Sequence, residues 1–503
     1  MVLKYSLAFL KHGSLWIYRL ATAAVLLAGV SFVALVLGLR YYILPNVDDY
    51  RAPIERTLTR AAGQPVAIGS ITGNWQGYRP ELHFRDVKVL DEQGQPALRL
   101  ERVDAVLAWL SLLTAQVRFE SLEVHGPRLE IRRDTGGVIH VTGLAKGRSD
   151  GGGFGDWLLA QRQILIRDAG IVWLDELRKA PELRIEKVNF RLDNSGGTHQ
   201  FGLSGLPPPA VASAINARGE LNGRTARDLQ AWTGRLYVEF GQVNLSPAQA
   251  WIDTPLEISS GTGSLRLWLK LAGNRVTSAT ADVGLANVRA RLEPDLPELV
   301  LASLAGRLGW QDDGRRREIS AASLAFTTAE GLTLAPMRFT FARTGEAGSA
   351  DQRSELRVER LDLAPVVQLA AFLPLPAVLR DRLGQSAPTG MIDRGEFSWA
   401  GAFDRTLPYV ARAAFSGLSL RPEGALPGVH GLSGQIDASE RGGTVALSVT
   451  AGSLDLPKVF QEPVPLDVLS AGATWTFRDG QTHVTVKNAA FTNEHAAGSV
   501  HGS

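Results

Sequence analysis

The sequence predicts a mainly β fold in which one N-terminal transmembrane helix precedes a repetitive antiparallel β-sheet with a few short helices. Three observations lead to this prediction. Residues 264–271 read Ser-Leu-Arg-Leu-Trp-Leu-Lys-Leu, an alternation that places four leucines on one face of a strand, and weaker copies recur from about residue 82 onward. Residues 20–39 carry no charge. The 52 glycines and 25 prolines are typical of turn-rich β structure.

The uncharged run is long enough to cross the apolar core of a bilayer, and Arg19 and Arg40 bracket it. A cleavable signal peptide would have a shorter apolar region and a small-residue cleavage site, which is not evident before Arg40, so we favour an uncleaved anchor. Basic residues on both sides leave its orientation undecided, and no later segment could span a membrane as a helix. The predicted anchor residues are Leu20, Val25, Leu26, Leu27, Val30, Phe32, Val33, Leu35, Leu37 and Leu39.

Strand patterns separated by turns follow a predicted short helix over residues 48–62. From residue 82 onward we expect roughly 25–30 strands by these signals. Residues 364–384 have apolar residues at near-helical spacing, but Pro374 and Pro376 interrupt them, which predicts two short helices. The chain ends without a cap or stop signal, so we expect it to be the N-terminal part of a longer protein.

The leucine face of residues 264–271 requires a partner, which is either a second sheet or something other than protein. Alternation alone does not distinguish a closed sandwich core from an open trough. Tryptophans in or beside strands usually pack in the core or on the sheet surface. The alternative is a place at the rim of a trough, for which Trp268 is the best candidate because it lies opposite the leucines. The candidates for lining this apolar surface are Leu265, Leu267, Leu269, Leu271, Leu236, Val238, Phe240, Val445, Leu447 and Val449.

Composition argues against several classes of function. The chain has no cysteine, which excludes disulfides, thiolate metal sites and cysteine nucleophiles. Its 53 Lys and Arg residues nearly balance 51 Asp and Glu residues, so no basic field indicates nucleic-acid binding. We find no phosphate-binding loop, nucleophile elbow, dinucleotide fingerprint or paired-histidine metal motif. The sequence therefore predicts no enzyme activity, no cofactor and no metal.

A few polar residues could suggest other roles. The nine histidines are scattered, and ordinary surface or hydrogen-bonded roles are expected for His83 and His125. The adjacent carboxylates Asp175-Glu176 and Asp312-Asp313 point to opposite faces if they lie in strands, which prevents an acid/base pair. The basic run Arg315-Arg-Arg317 is expected to be a solvated turn, with contact to anionic lipid head groups as the alternative.

Short motifs between residues 71 and 144 occur in an order that resembles a known family, the AsmA-like superfamily, and most closely its YhdP branch. Further matches extend this resemblance to most of the chain, for example Trp173-Leu-Asp-Glu176 and Leu454-Asp-Leu-Pro-Lys-Val-Phe460. The resemblance rests on the order of the motifs along the chain. The motifs of the first region are Ile71-Thr-Gly-Asn-Trp75, Pro80-Glu-Leu-His-Phe-Arg-Asp-Val-Lys-Val89, Gly94-Gln-Pro-Ala-Leu-Arg-Leu-Glu-Arg-Val103, Leu110-Ser-Leu-Leu113, Leu122-Glu-Val-His-Gly-Pro-Arg-Leu-Glu-Ile131 and Arg133-Asp-Thr-Gly-Gly137.

The resemblance implies a single-pass protein of the bacterial inner membrane with its body in the periplasm. It implies an elongated, curved β-sheet that forms a hydrophobic groove and carries phospholipid toward the outer membrane, contributing to its lipid homeostasis. Phospholipid, the inner membrane, and outer-membrane or small inner-membrane proteins are the implied partners. The alternative is a membrane-tethered scaffold or chaperone for outer-membrane protein assembly, whose sheet pairs with client strands.

Together these expectations divide the chain into seven parts. The predicted parts are a cytoplasmic N-terminus (1–19), the transmembrane anchor (20–39), a short linker and helix (40–63), an N-terminal AsmA-like β region (64–146), the first part of the β-groove (147–363), the helical interruption (364–384) and the continuing β-groove (385–503).

Overall fold

The structure, a computed structural model, describes most of the chain as β-strands, as the sequence predicts. The chain divides into two compact units. Unit 1 comprises Met1–Ser204 and Gly223–Leu229, and unit 2 comprises Gly205–Asn222 and Gln230–Ser503. The described residues are 2–62, 65–77, 79–90, 94–109, 118–141, 153–226, 228–251, 256–273, 275–346, 349, 351–401, 408–423, 427–478 and 481–502.

The helices are few, and all but the first are short. A π-helical turn, Leu39–Ile43, and a 3-10 turn, Val47–Tyr50, follow the first helix. Another 3-10 turn, Ala370–Phe372, lies between the last two helices, with Pro374 and Pro376 just after it. The helices are α1 (Val2–Gly38), α2 (Arg51–Ala62), α3 (Gly153–Ala160), α4 (Leu245–Ala248), α5 (Leu363–Gln368) and α6 (Ala377–Ser386).

Unit 1 contains the first strands, and not all of them are antiparallel. Strand β7 pairs in parallel with β4 along its first half and with β5 along its second half, on either side of the break at Gly126 and Pro127. A parallel pair needs a long crossover, and here the connection contains α3. The strands are β1 (Val66–Gln76), β2 (Arg79–Leu90), β3 (Pro96–Leu107), β4 (Phe119–His125), β5 (Arg128–Arg133), β6 (Ile139–Val141), β7 (Gln163–Asp175), β8 (Leu183–Ser195) and β9 (Thr198–Leu206).

The core of unit 1 joins the end of the anchor helix to the first strands. Leu39, Leu44 and Val47, which follow α1, are buried in one cluster with strand residues such as Ile71 and Phe84. The amphipathic helix α2 adds residues one turn apart to this cluster. The anchor helix is therefore packed onto the sheet through its last turn and the residues after it.

Unit 2 is an antiparallel meander in which each strand pairs with the next one in the chain. Short turns suit this order because neighbouring antiparallel strands need no crossover. Its strands are β10 (Ile215–Asn222), β11 (Thr233–Asn244), β12 (Glu257–Ala272), β13 (Arg275–Arg291), β14 (Leu299–Asp312), β15 (Arg316–Thr328), β16 (Thr333–Thr344), β17 (Arg353–Asp362), β18 (Thr389–Ala400), β19 (Tyr409–Leu420), β20 (Gly428–Ser439), β21 (Gly442–Asp455), β22 (Val464–Arg478), β23 (Gln481–Thr492) and β24 (Ala497–Gly502).

The described residues contain 24 strands, fewer than the sequence patterns suggest. Bulges explain part of the difference, because a bulge breaks the alternation inside one strand. In β8, residues 183–185 and 188–192 look like two strands in the sequence but form one, with Lys187 between them at a φ of 50°.

Candidate functional site: the apolar face of unit 2

The leucines of β12 lie on one face of the strand, as predicted. All four are half-buried, whereas Ser264, Arg266, Trp268 and Lys270 between them are exposed. Leucines in a closed sandwich core would be buried on every side, so nothing in the described chain covers this face completely. We call the side of unit 2 that carries these leucines the apolar face.

The predicted residues of β11 lie on the same face, because directly opposed residues of an antiparallel pair share a face. Leu236 lies opposite Leu269, and Val238 lies opposite Leu267. Phe240 lies opposite Leu265. Two strands thus form one apolar patch from side chains that are well separated in sequence.

The register extends this patch across every strand of unit 2. Starting at Leu267 and stepping from each residue to its direct partner selects one residue from each of β10–β24. Every one of them is apolar or glycine. This set, which we call row 1, is Ala217, Val238, Leu267, Ala281, Leu308, Ala321, Phe339, Val358, Gly395, Ala413, Ile436, Val445, Ala473, Val486 and Gly502.

A second row starts at Leu269, two residues further along β12 and therefore on the same face. It is also free of polar side chains, and it is richer in aromatic residues than row 1. This set, row 2, is Gly219, Leu236, Leu269, Ala279, Trp310, Ile319, Phe341, Leu356, Phe397, Ala411, Ala438, Gly443, Trp475 and Val484.

The three predicted residues of β21 lie on this face as well. Val445 belongs to row 1. Leu447 lies between Gly434 and Ala471 on the neighbouring strands, and Val449 is buried with 4% of its surface exposed. The register therefore places residues 236–240, 265–271 and 445–449 on one face of the sheet, with β21 nine strands away from β12.

The opposite face of the sheet is polar, and ion pairs join its strands. Arg266 Nε donates to Glu239 at 3.0 Å, and Arg307 Nη2 donates to Asp282 at 2.7 Å. The hydrogen bonds from Arg307 hold the pKa of Asp282 below its ordinary value. Trp268 lies on this polar face, where Arg307 stacks over its ring at 5.4 Å. The sequence predicts that Trp268 lies opposite the leucines, and the structure places it there; its position at a rim stays a prediction.

Burial changes along the strands of unit 2, and bulges mark where it changes. Near a bulge at Asn287, whose φ is 52°, the apolar side chains of Leu285 and Val288 are buried. A bulge bends the strand that carries it, so the direction of β13 changes at this level. Away from it, Trp310 and Ile319 of row 2 are 37% and 50% exposed. The apolar face thus runs from a packed floor to an exposed rim. The floor cluster is Val243, Leu285, Val288, Ala290 and Leu301, against which Phe240, Leu265, Val283, Leu304 and Phe326 pack.

Sequence reasoning missed the aromatic residues of row 2. Trp310 follows Leu304 and Leu308 at even spacing, and Phe339 and Phe341 are also two residues apart, so their alternation was available as a signal. Glycine and alanine among them weaken the pattern in each strand. Only the register shows that such residues continue the leucine face.

The predicted anchor residues lie in the one described helix that is long and apolar enough to cross a membrane, Tyr18–Ile43. Nine of the ten predicted side chains, from Leu20 to Leu37, are exposed. Leu39 is 6% exposed and belongs to the core of unit 1. The exposed apolar stretch therefore ends before Leu39, the first residue of the helix that is buried in the core of unit 1.

The described residues contain no cluster of three or more His, Cys, Asp or Glu side chains suited to a metal ion. His83 and His125 are brought together by Asp104, which receives hydrogen bonds from His83 Nδ1 at 2.6 Å and His125 Nε2 at 3.1 Å. Burial raises the pKa of Asp104, but the hydrogen bonds from Arg102 and His83 outweigh it and lower that pKa overall. The three side chains form a hydrogen-bonded network between neighbouring strands.

Most of the other charged residues noted in the sequence form ion pairs. Asp175 binds Arg133, and Glu176 binds Arg132, so the two carboxylates engage different partners. Within the basic run, Arg317 Nε lies 3.0 Å from Asp312, and Arg316 contacts Glu318 and Glu355. The charges of two of the three arginines are thus neutralised by carboxylates of the same chain.

A family model described as "YhdP protein" matches residues 1–503. The chain belongs to the YhdP family. A relative from Escherichia coli strain K12, the "Intermembrane phospholipid transporter YhdP", is 24% identical over 472 residues. That match covers 90% of this chain and 36% of the relative, so the chain spans about a third of the relative's length. No solved structure matches the chain.

The structure explains part of the YhdP-like motif order in the first region. In Ile71-Thr-Gly-Asn-Trp75, Ile71 is buried in the core of unit 1, Gly73 contacts Leu44 and Trp75 contacts Arg40. The motif is therefore where β1 meets the end of the anchor helix. Leu110-Ser-Leu-Leu113 and the domain boundary predicted at residue 146 lie outside the described residues.

Proposed function

We propose that this chain is part of a phospholipid-transfer protein that carries lipid along the apolar face of unit 2 from the bacterial inner membrane toward the outer membrane. The observation that carries the proposal is row 1, in which fifteen consecutive strands each contribute an apolar residue or a glycine to one face. The name of the Escherichia coli relative, an intermembrane phospholipid transporter, supplies the class of cargo.

The physical argument is one of solvation. A phospholipid crossing water exposes its acyl chains at a cost of about 0.8 kcal/mol per CH₂ group. An uninterrupted apolar row removes that cost at each strand, so movement along the sheet needs no chemical step. The half-exposed leucines of β12 are consistent with this role, because they present apolar surface that the described chain leaves partly uncovered.

The anchor determines where the proposed transfer begins. The helix Tyr18–Ile43 would lie in the inner membrane, with the sheet that follows it in the periplasm. Since Leu39 and Leu44 pack in the core of unit 1, unit 1 would stay at the membrane surface. Lipid leaving the membrane would then meet protein directly beside the anchor.

Photo-crosslinking tests the proposal. A photo-crosslinking amino acid at Leu267, on the apolar face, should capture phospholipid in Gram-negative cells that express the chain. The same amino acid at Lys270, exposed on the polar face of the same strand, is the matched control and should capture little. Capture of polypeptide alone at Leu267 would contradict lipid transfer and favour the scaffold or chaperone for outer-membrane protein assembly.

A further inference from the structure

The end of the anchor helix is fixed against the first strand of unit 1. Leu39, Leu44 and Val47 are buried with Ile71 in one cluster. A Cβ atom at Gly73 would lie 2.8 Å from the carbonyl oxygen of Leu44, so the two backbones approach as closely as a glycine permits. The side chains around this junction therefore have a defined position relative to the apolar helix.

Three aromatic rings connect the anchor helix to the sheet at this junction. The rings of Phe32 and Trp109 are 5.3 Å apart, and those of Trp109 and Trp75 are 6.2 Å apart. Phe32 precedes Arg40 by eight residues, which is about 12 Å along a helix. The rings thus extend from inside the apolar span to its end, the depth at which tryptophan prefers to lie in a bilayer.

Arg40 lies at the outer end of this set of rings. Its guanidinium is 5.6 Å from the Trp75 ring and 5.8 Å from the Tyr41 ring. No carboxylate pairs with it among the described residues. Asp48, eight residues further along the chain, is engaged by Arg51 and by the backbone N–H of Ile71. A cation stacked on aromatic rings at a membrane boundary is a good partner for an anionic head group.

Trp75 provides a second, independent observation. Its indole Nε1–H is shielded from solvent and has no acceptor among the described residues. A shielded donor without an acceptor is unfavourable, and native structures satisfy nearly all such groups. Arg40 is exposed and its guanidinium lies 5.6 Å from the Trp75 ring, so an oxygen atom bound to Arg40 would lie beside that ring.

We propose that Arg40 and the indole N–H of Trp75 bind the phosphate of a phospholipid whose acyl chains lie against Phe32 and Trp109. The inference rests on the proposed function, since it places a lipid-binding site where the anchor meets the sheet. Phosphate ester is the chemistry recognised: the guanidinium supplies charge and two or more donors, and the indole supplies one further donor.

The test uses the full chain in vesicles that contain a phospholipid with a photoreactive head group. Labelling of the peptide that contains Trp75 is measured by mass spectrometry. We expect Arg40→Gln to lower this labelling about tenfold, because a charge-assisted hydrogen bond is lost. Trp75→Phe keeps an aromatic ring but removes the indole N–H, and it should lower the labelling about threefold. Arg56→Gln, which removes an exposed arginine on α2, is the matched control and should leave labelling unchanged.

Three results would overturn the site. The first is unchanged labelling in Arg40→Gln. The second is a loss of labelling in Arg56→Gln equal to that in Arg40→Gln, which would indicate general attraction to the vesicle surface. Complete competition by excess inorganic phosphate is the third, since the ligand would then be free phosphate. Hydrogen exchange of β1 establishes that each variant folds.

A phospholipid with a photoreactive acyl chain separates this inference from the proposed function. If the wild-type chain is labelled in the peptide that contains Trp75 but never near Leu267, the transfer proposal fails while the head-group site stands. If Arg40→Gln abolishes head-group labelling and Leu267 is still labelled, both stand.

Discussion

At position 73, strand β1 passes so close to the residues after the anchor helix that only a hydrogen atom fits there. A methyl group would lie 2.5 Å from Leu44 Cδ2 and 2.8 Å from its carbonyl oxygen. Backbone atoms cannot yield as a flexible side chain can, so the strand or the helix end must shift. This close approach adds to the buried contacts of Leu39, Leu44 and Val47 that join the end of the anchor to the core of unit 1.

Gly73→Ala should therefore destabilise unit 1 by about 1–3 kcal/mol, the usual range for overpacking. The measurement is the thermal midpoint of the full chain in detergent together with hydrogen exchange in β1. Gly38→Ala is the control, because a methyl group at that position would have no neighbouring atom within 4 Å and alanine favours a helix. Equal stability of the two variants would contradict the close approach.

Asp175 illustrates how a buried charge is held. Burial raises the pKa of its carboxyl, but the hydrogen bonds from Arg133 and from the backbone N–H of Arg178 outweigh burial and lower that pKa below 3.8. A depressed pKa means that the ion pair stabilises the fold above the unfolded pKa and ceases to do so as pH falls through the folded value. The partners join β5 to the end of β7.

We expect hydrogen exchange in β5 and in the second half of β7 to accelerate as pH falls below about 4. Asp175→Asn should exchange faster than wild type already at neutral pH, because Arg133 loses its charged partner, and should respond less to acid. Identical pH profiles for the two proteins would show that another group controls this region.

At the scale of single strands, a substitution in β12 tests the proposed lipid transfer without destabilising the fold. Leu267 is half-buried, so an aspartate there can stay hydrated while it interrupts row 1. Leu267→Asp should lower phospholipid movement at least about tenfold, since an acyl chain must then pass a hydrated charge. Abundance and far-UV circular dichroism should stay close to wild type.

Lys270→Asp is the matched control for this variant, because it introduces the same side chain three residues away on the polar face. It should transfer lipid normally. Unfolding or degradation of Leu267→Asp would instead place Leu267 in a closed core, and that outcome would remove the main support for lipid contact at β12.

For unit 2 as a whole, the length of row 1 has a consequence that no single strand has. If lipid passes every strand in turn, one interruption blocks all movement. Leu308→Asp and Val445→Asp, which are on different strands of row 1, should each reduce transfer as strongly as Leu267→Asp. Because the steps are in series, a double variant should be no worse than either single variant.

The measurement is transfer of labelled phospholipid in cells, with abundance determined in parallel. A scaffold that binds client strands would behave differently, since separate contacts contribute approximately additively to binding. Additive losses across the series would therefore contradict a conduit and favour the scaffold.

Sequence alone predicted much of the candidate site. The alternation in residues 264–271 predicted that four leucines share one face of β12, and the predicted residues near positions 238 and 447 lie on the same face of the sheet. It did not identify Trp310 or Phe397, where glycine and alanine dilute the pattern. It also placed Trp268 on the face opposite the leucines, where the side chain lies against Tyr237 and Arg307.

What the sequence determined by itself is local. The uncharged run, the alternation of side chains and the order of motifs follow from neighbours along the chain, and they are sufficient for an apolar helix, a mainly β fold and the YhdP family. The tertiary structure decided which residues meet. Row 1 exists only through the register of successive strands, and Arg40 reaches Trp75 only because Gly73 lets the helix end approach β1. Register and close approach depend on pairs far apart in sequence, which no local pattern contains.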